Sequence, residues 1–329
     1  MMAIFNLRKS EELRNKLTRE QQKKIQKLYK ELYEDVSKQL KRIGNAGDKL
    51  ERIRLMMLQR DIKSNYRKIT DEIEKGITNS ITDMSRAVVE DTREFLKKCG
   101  YYDVEGAFSY VPDNITRRIV TGQVYSGNWT LSKAIWGHTQ DFNDKLTYII
   151  GQGTASGKSA YEIAEDLEKY VNPTKKKASR EIKFQKYKRD ASGKFLLDEK
   201  GNRIPDGRSR TFYFGDVDYN AQRLARTMIS HAYQQAFEVV NKNDPFVTEY
   251  IWHSSGQHGR TCQLCLERDG QHFKKDELPL DHPNGMCTFE ACIPYTMMEI
   301  SNKIAAWYNS PSGTYPDLDL YAKDFLERK

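Results

Sequence analysis

The first hundred residues contain no proline and are dense in Lys, Glu, Gln, Arg and Leu, which leaves this part of the chain little alternative to long helices. Leu13, Leu17, Ile25, Leu28, Leu32, Val36, Leu40 and Ile43 recur at three- and four-residue steps, with the polar Gln21 filling one turn. The result is one apolar stripe on a charged rod, and that stripe must be covered. Gly44-Asn45-Ala46-Gly47-Asp48 supplies a helix stop and a new N-cap, after which Leu50, Ile53, Met57, Ile62, Tyr66 and Ile69 carry the pattern into a second helix. A third is predicted from about Ile77 to Lys98, with Ile81, Met84, Val88, Val89, Phe95 and Leu96 on its apolar face. The expectation for 1–100 is a helical hairpin or bundle whose basic outer face is solvated.

Beyond this region the character of the chain changes twice. Residues 101–171 read as a central helical region of shorter elements, in which Trp129 and Trp136 stand two turns apart and are expected to pack in a core. Gly151-Gln152-Gly153-Thr154-Ala155-Ser156-Gly157-Lys158-Ser159 resembles a phosphate-binding loop only superficially. The first glycine of that motif falls on Gln152, and Ser159-Ala160-Tyr161-Glu162 reads instead as a capping box opening a helix. Residues 172–215 form the most basic stretch, with Lys175, Lys176, Lys177, Lys186, Lys188, Arg189, Arg208 and Arg210 interleaved with Phe184, Tyr187 and Phe195. Phe195 to Ile204 suggests a hairpin turning at Lys200-Gly201-Asn202, and Thr211 to Phe214 another short strand. Such an arm suits phosphate neutralisation or an acidic protein surface, and equally a surface loop whose lysines only keep it soluble.

The formal net charge of +8 agrees with an anionic partner such as nucleic acid. No stretch is apolar for long enough to span a bilayer, and the opening residues are too short an apolar run for a secretory signal, so no membrane partner is expected. The thiols are then expected in a reducing cytosol, where neighbouring cysteines serve as ligands more readily than as disulfides.

Four of the five cysteines fall in one segment: Cys262-Gln263-Leu264-Cys265, then Asp281-His282-Pro283-Asn284-Gly285-Met286-Cys287, then Cys292. Two thiols two residues apart can face a single ion, and a histidine and cysteine from a later loop can complete a tetrahedron. Cys262, Cys265, His282 and Cys287 are the expected ligands of a closed, structural zinc, with Cys292 as a substitute for the fourth. Around them, Asp218 to Asn241 reads as a helix with a wide apolar face, and Val247 to Ser254 as a strand. Asp269-Gly270 reads as a tight turn, and Gln271-His272-Phe273 as a short strand. The overall expectation is a mainly α protein with a small α+β, zinc-stapled C-terminal unit over 216–329.

The order of these features resembles a known family. A helix containing Ala225-Arg226-Thr227, a strand ending in Trp252, Arg260-Thr261-Cys262-x-x-Cys265, Asp269-Gly270 and His282-Pro283 with a following cysteine are similar to the minor head proteins of tailed phages. These are also called head morphogenesis proteins, the phage Mu F-like group. Here Met228 stands where relatives often carry glutamate, and Cys287-Thr288-Phe289 replaces a terminal Cys-x-Cys, which leaves Cys287 or Cys292 as the fourth ligand. The resemblance implies a virion component in the procapsid interior, made in the host cytoplasm, with portal protein, major capsid or scaffold protein and double-stranded DNA as partners, and without enzymatic activity. Two alternatives remain open: a metal-dependent nuclease drawing on His253, His258 and His272, and a protein-only adaptor on the portal or capsid surface.

Overall fold

The structure is a computed structural model describing residues 5, 7–43, 48–125, 129–135, 137, 144, 146–150, 163, 181–188, 196, 198, 204–213, 219–255 and 261–326. It is mostly helical, with a small three-stranded antiparallel sheet in its C-terminal part. The chain divides into two compact units, each assembled from separated segments. One comprises residues 1–28, 64–141 and 221–329; the other comprises 29–63 and 142–220. Helices α1 (Arg8–Ile43) and α2 (Asp48–Cys99) each contribute a segment to both.

In the first unit the N-terminal part of α1 runs antiparallel to the C-terminal part of α2. The Ser10 N–H and hydroxyl both donate to the Asp91 carboxylate, at 2.9 and 2.5 Å, and Lys9 pairs with Glu94. Asp91 thereby satisfies donors that the first turn of α1 would otherwise leave orphaned. Farther along, a Cβ at Gly76 would stand 2.7 Å from the Gln21 side chain, so a mid-helix glycine and the one polar residue of the α1 stripe meet. The sequence reading placed two helices between Asp48 and Lys98, whereas α2 is continuous. Without a proline, Gly76 costs about 1 kcal/mol of propensity, which packing along the helix overrides.

The face of α1 is as anticipated, with Leu17, Ile25, Leu32, Val36, Leu40 and Ile43 buried, and Tyr29 joining them. The first half of α2 is phased differently: Leu55, Leu58 and Ile62 are buried, while Ile53 and Met57 are 48% and 63% exposed. Several apolar stripes are possible on a rod this rich in Leu, Ile and Met, and the partner helix selects one. The second unit contains this distal part of the helix pair, the buried helical residues Leu146, Ile150 and Ile163, and a two-stranded ribbon, β1 (Glu181–Tyr187) with β2 (Pro205–Tyr213). Their antiparallel register pairs Glu181 with Tyr213 and Phe184 with Arg210. The Ile204 N–H donates to the Leu196 carbonyl at 3.0 Å, in the place where the hairpin was expected. The turn at 200–202, the glycine-rich stretch 151–159 and Trp136 lie outside the described residues.

Helix α3 (Val111–Val120) follows a turn and ends at Gly122, whose φ of +79° and a hypothetical Cβ 1.7 Å from the Trp129 carbonyl oxygen admit no other residue. The core of the first unit is centred on helix α4 (Tyr219–Asn241). One side meets the sheet formed by β3 (Glu249–His253), β4 (His272–Phe273) and β5 (Thr288–Cys292), in the order β4-β3-β5. Phe237 of α4 packs on Tyr250 and Phe289 at ring distances of 4.9 and 6.0 Å, and Trp252 meets Phe289 edge-on at 5.0 Å. Phe5 touches both Phe95 and Phe237, joining the helix pair to the same cluster. Each such fully buried ring contributes about 2–3 kcal/mol. Helix α5 (Gln263–Arg268) lies between β3 and β4. Helix α6 (Met297–Tyr308) opens on a Thr296–Glu299 capping box, and helix α7 (Pro316–Leu326) closes the chain, with Tyr321 against Tyr101 and Phe108. No helix among the described residues is long and apolar enough to cross a membrane.

Burial governs two ionisable groups at this end. The Cys99 thiol is pushed up to about 12 and stays an inert thiol. The Asp244 carboxyl is pushed up to about 6, although it accepts the Phe246 N–H at 2.9 Å. Between the ordinary carboxyl range and about 6, the folded protein therefore holds this proton more tightly than the unfolded chain does. The stability it contributes is complete at or below about pH 4 and is lost as pH rises through about 6. Asp244→Asn should remove this slope, gaining on the order of 2 kcal/mol over wild type at pH 7.5 relative to pH 4.5. Denaturant titrations of both proteins in excess chelator check it, and parallel pH profiles would refute it.

Candidate metal centre

The cluster is built from two short segments and held by a helix. Cys262 is the residue before α5 and Cys265 lies in its first turn, so two residues of spacing turn both thiols to one side. His282 and Cys287 come from the loop between α5 and β5, after the chain has passed through β4. The His282 Nε2 lies 3.2 Å from the Cys262 Sγ and 3.0 Å from the Cys265 Sγ, and the Cys287 Sγ lies 3.3 Å from the Cys265 Sγ. Within each of the triads Cys262–Cys265–His282 and Cys265–Asp281–Cys287 the ligand atoms all fall inside 4.8 Å. A tetrahedral zinc with ordinary bond lengths separates its ligand atoms by about 3.5–3.8 Å. The three close pairs thus need to open by only a few tenths of an ångström, while Cys287, which falls within 4.8 Å of Cys265 but in a triad separate from Cys262 and His282, would move inward to complete a tetrahedron.

The protonation chemistry favours the same conclusion. The His282 Nδ1 is 3.0 Å from the Pro283 carbonyl oxygen, to which it donates, so the Nε2 lone pair faces the two sulfurs. The backbone N–H of Cys265 is the largest influence lowering the Cys262 thiol. Burial raises the Cys265 thiol, and burial followed by the Asp281 carboxylate raises the Cys287 thiol. Against this, the Trp252 indole and the Ser255 backbone N–H favour a Cys287 thiolate. A divalent cation reverses the effect of burial, drawing both sulfurs into the thiolate form. When bound, zinc would cross-link the start of α5 to the 281–287 loop; four protein ligands leave it no open position for water.

The loop has almost no regular structure, and α4 satisfies its backbone. Thr227, Ser230, His231 and Gln234 occupy one stripe of that helix, at steps of three and four. The Thr227 hydroxyl accepts the Asn284 N–H at 2.8 Å, and the Ser230 hydroxyl donates to the Gly285 carbonyl at 2.9 Å. The Gln234 amide accepts the Asp281 N–H and donates to the Pro279 carbonyl, both at 2.9 Å. The His231 Nε2 donates to the Asp281 carbonyl at 2.9 Å, while Nδ1 accepts from the Tyr125 hydroxyl at 2.9 Å. Burial lowers the His231 pKa, which keeps the ring neutral in this tautomer. The buried Asp281 carboxylate accepts the N–H groups of His282 and Cys287 at 2.8 and 3.2 Å. From α1, Arg14 lies over the Tyr233 ring at 4.5 Å and donates to the carbonyls of Cys287 and Met286 at 2.7 and 3.2 Å.

The apolar periodicity of α4 gives no role to Ser230, His231 and Gln234, nor that of α1 to Arg14, while Thr227 and Asp281 stand in the quoted motifs without a role of their own. The polar stripe at 227, 230, 231 and 234, inside an otherwise apolar helix, was the signal available. Cys292 is placed apart: it ends β5, pairs across the sheet with Glu249, and joins no metal-binding group among the described residues. Five extended residues carry the chain about 17 Å from Cys287. His253 and His272 lie on the sheet, paired at 2.9 Å with Glu290 and Glu249, and His258 is outside the described residues. Of the basic arm, Lys188 is exposed, Lys186 belongs to β1, and Arg208 and Arg210 belong to β2. Lys175, Lys176, Lys177 and Arg189 lie outside the described residues.

The chain matches no protein-family model, no curated protein and no solved structure.

A Cβ at Gly285 would stand 2.2 Å from the Asp281 carboxylate, which its two N–H bonds prevent from retreating. Gly285→Ala is therefore expected to cost about 1–3 kcal/mol and to weaken the hold of the cluster on any metal ion bound there. Thermal unfolding with and without chelator checks it. Arg14→Met should keep the stacking volume but lose two charged donors to carbonyls, lowering stability by about 2 kcal/mol. A change below about 0.5 kcal/mol would show the clasp to be incidental.

Proposed function

We propose that this protein is a minor head component of a tailed phage, bound near the portal inside the procapsid and contacting DNA during assembly, packaging or ejection. The observation that supports the reading is the convergence of the residues on which the family resemblance rests. Thr227, the strand ending near Trp252, Cys262, Cys265, the Asp269-Gly270 turn and His282 all belong to one compact arrangement around one cluster. A shared sequence order is what such an arrangement requires, because each segment contributes one part of the clasp.

In this reading the cluster holds a structural zinc, and its role is to keep a loop-rich unit folded where the available apolar core is small. Binding belongs to the basic ribbon and the helices, where phosphates are neutralised by lysines and arginines. In this reading the protein acts without catalysis, because four protein ligands would leave a bound zinc no open position for water.

The decisive experiment is fractionation of particles from cells producing the phage. The chain should co-sediment with procapsids and DNA-filled heads in few copies, and carry about one zinc per chain. Its absence from purified heads, with the protein left free in the lysate, would overturn the assignment. Duplex binding that weakens steeply with salt is expected beside it, and salt-independent association would remove the DNA contact.

A further inference from the structure

A cavity of about 320 Å³ opens at the metal cluster, whose Cys262, Cys265, His282 and Cys287 form part of its lining. One wall is a single face of α1, where Asn15, Thr18, Arg19 and Gln22 follow at steps of three and four. Arg226 of α4 and Asn284 of the metal loop contribute to the lining, and no carboxylate is among the lining residues. We propose that this cavity is a binding site for a phosphate group carried on a small ester such as a nucleotide, with Arg19 and Arg226 receiving the phosphate oxygens.

Charge supports an anion. Zinc held by three thiolates and one imidazole leaves a single negative charge, against the two guanidinium groups of the lining. Arg14 adds a third positive charge behind the wall, spending its donors on the carbonyls of Met286 and Cys287. Guanidinium groups suit phosphate because their planar donors match two oxygens at once. A metal cation would find no carboxylate in this lining, and an apolar ligand would meet amides and hydroxyls.

Thr18 is an independent sign of a missing partner. It is 4% exposed, lines the cavity, and its hydroxyl meets no partner among the described residues. An unmet buried hydroxyl costs about 1–3 kcal/mol, which an oxygen-rich ligand would relieve. Asn284 is also held at the rim under constraint: its φ is +69°, with its N–H committed to the Thr227 hydroxyl. The volume exceeds what inorganic phosphate alone fills and approaches the lower end of small-ligand sites, which begin at about 300 Å³. The inference shares the structural zinc with the reading above but does not depend on the virion assignment.

Calorimetric titration of the zinc-loaded full chain with a nucleoside 5′-monophosphate, the corresponding nucleoside and inorganic phosphate tests it. The monophosphate should bind and the nucleoside should not. Equal affinity for inorganic phosphate would assign the free ion as the source of the group and support the same site. Arg19→Gln, an exposed position, should weaken binding about tenfold, and Thr18→Val several-fold, with zinc content and melting temperature retained. No binding of either phosphate probe up to about 10 mM overturns the proposal, and so does unchanged affinity in Arg19→Gln.

Discussion

The grip of α4 on the 281–287 loop is the constraint on which the rest of the first unit depends. A loop that turns inward carries backbone N–H and C=O groups away from water, and each must find a partner. Here the partners are four side chains of one helical stripe, Thr227, Ser230, His231 and Gln234, with the Asp281 carboxylate inside the loop and Arg14 outside it. Each bond contributes only about 1 kcal/mol net, but losing either partner would leave a buried group unmet at greater cost. That asymmetry makes the loop conformation specific. It places His282 beside the sulfurs of Cys262 and Cys265, and Cys287 beside that of Cys265.

The same helix solves two packing problems with two faces. Its aromatic face, Tyr233 and Phe237, meets Tyr250 and Phe289 of the sheet, while its polar stripe meets the metal loop. The N-terminal helix closes the arrangement through Arg14 and Glu11, the latter accepting from the Tyr233 hydroxyl at 3.2 Å. The metal centre is thus fastened to residues separated by more than 270 positions in the sequence. A zinc bound there would stabilise the N-terminal helix as well as the C-terminal sheet, because both share the loop.

Much of this was legible from residue order, unevenly so. The α1 stripe was recovered almost whole, since a long helix with one apolar face offers few other phases. The α2 phase around Ile53 and Met57 was not, because alternative stripes there are equally apolar and only the partner decides between them. The division of α2 at Gly76 failed for a related reason: a glycine signals a break locally, yet here it receives Gln21. The Cys262, Cys265, His282 and Cys287 quartet could be proposed from spacing alone. Excluding Cys292 required β5, whose pairing with β3 carries that residue along the sheet and away from the cluster.

The sequence by itself determined the helical character of the first hundred residues, the stripe of α1, the C-terminal strand and turn signals, and the set of metal-binding candidates. These are properties of residue type and local spacing, which the chain carries wherever it is placed. Tertiary structure alone decided which sulfur completes the quartet, which face of α2 is buried, and why His231, Gln234, Asp281 and Arg14 are polar where burial would favour carbon. The reason is that a hydrogen-bond partner distant in sequence leaves no periodic mark; it becomes visible when folding brings donor and acceptor within about 3 Å and excludes the water that served both before.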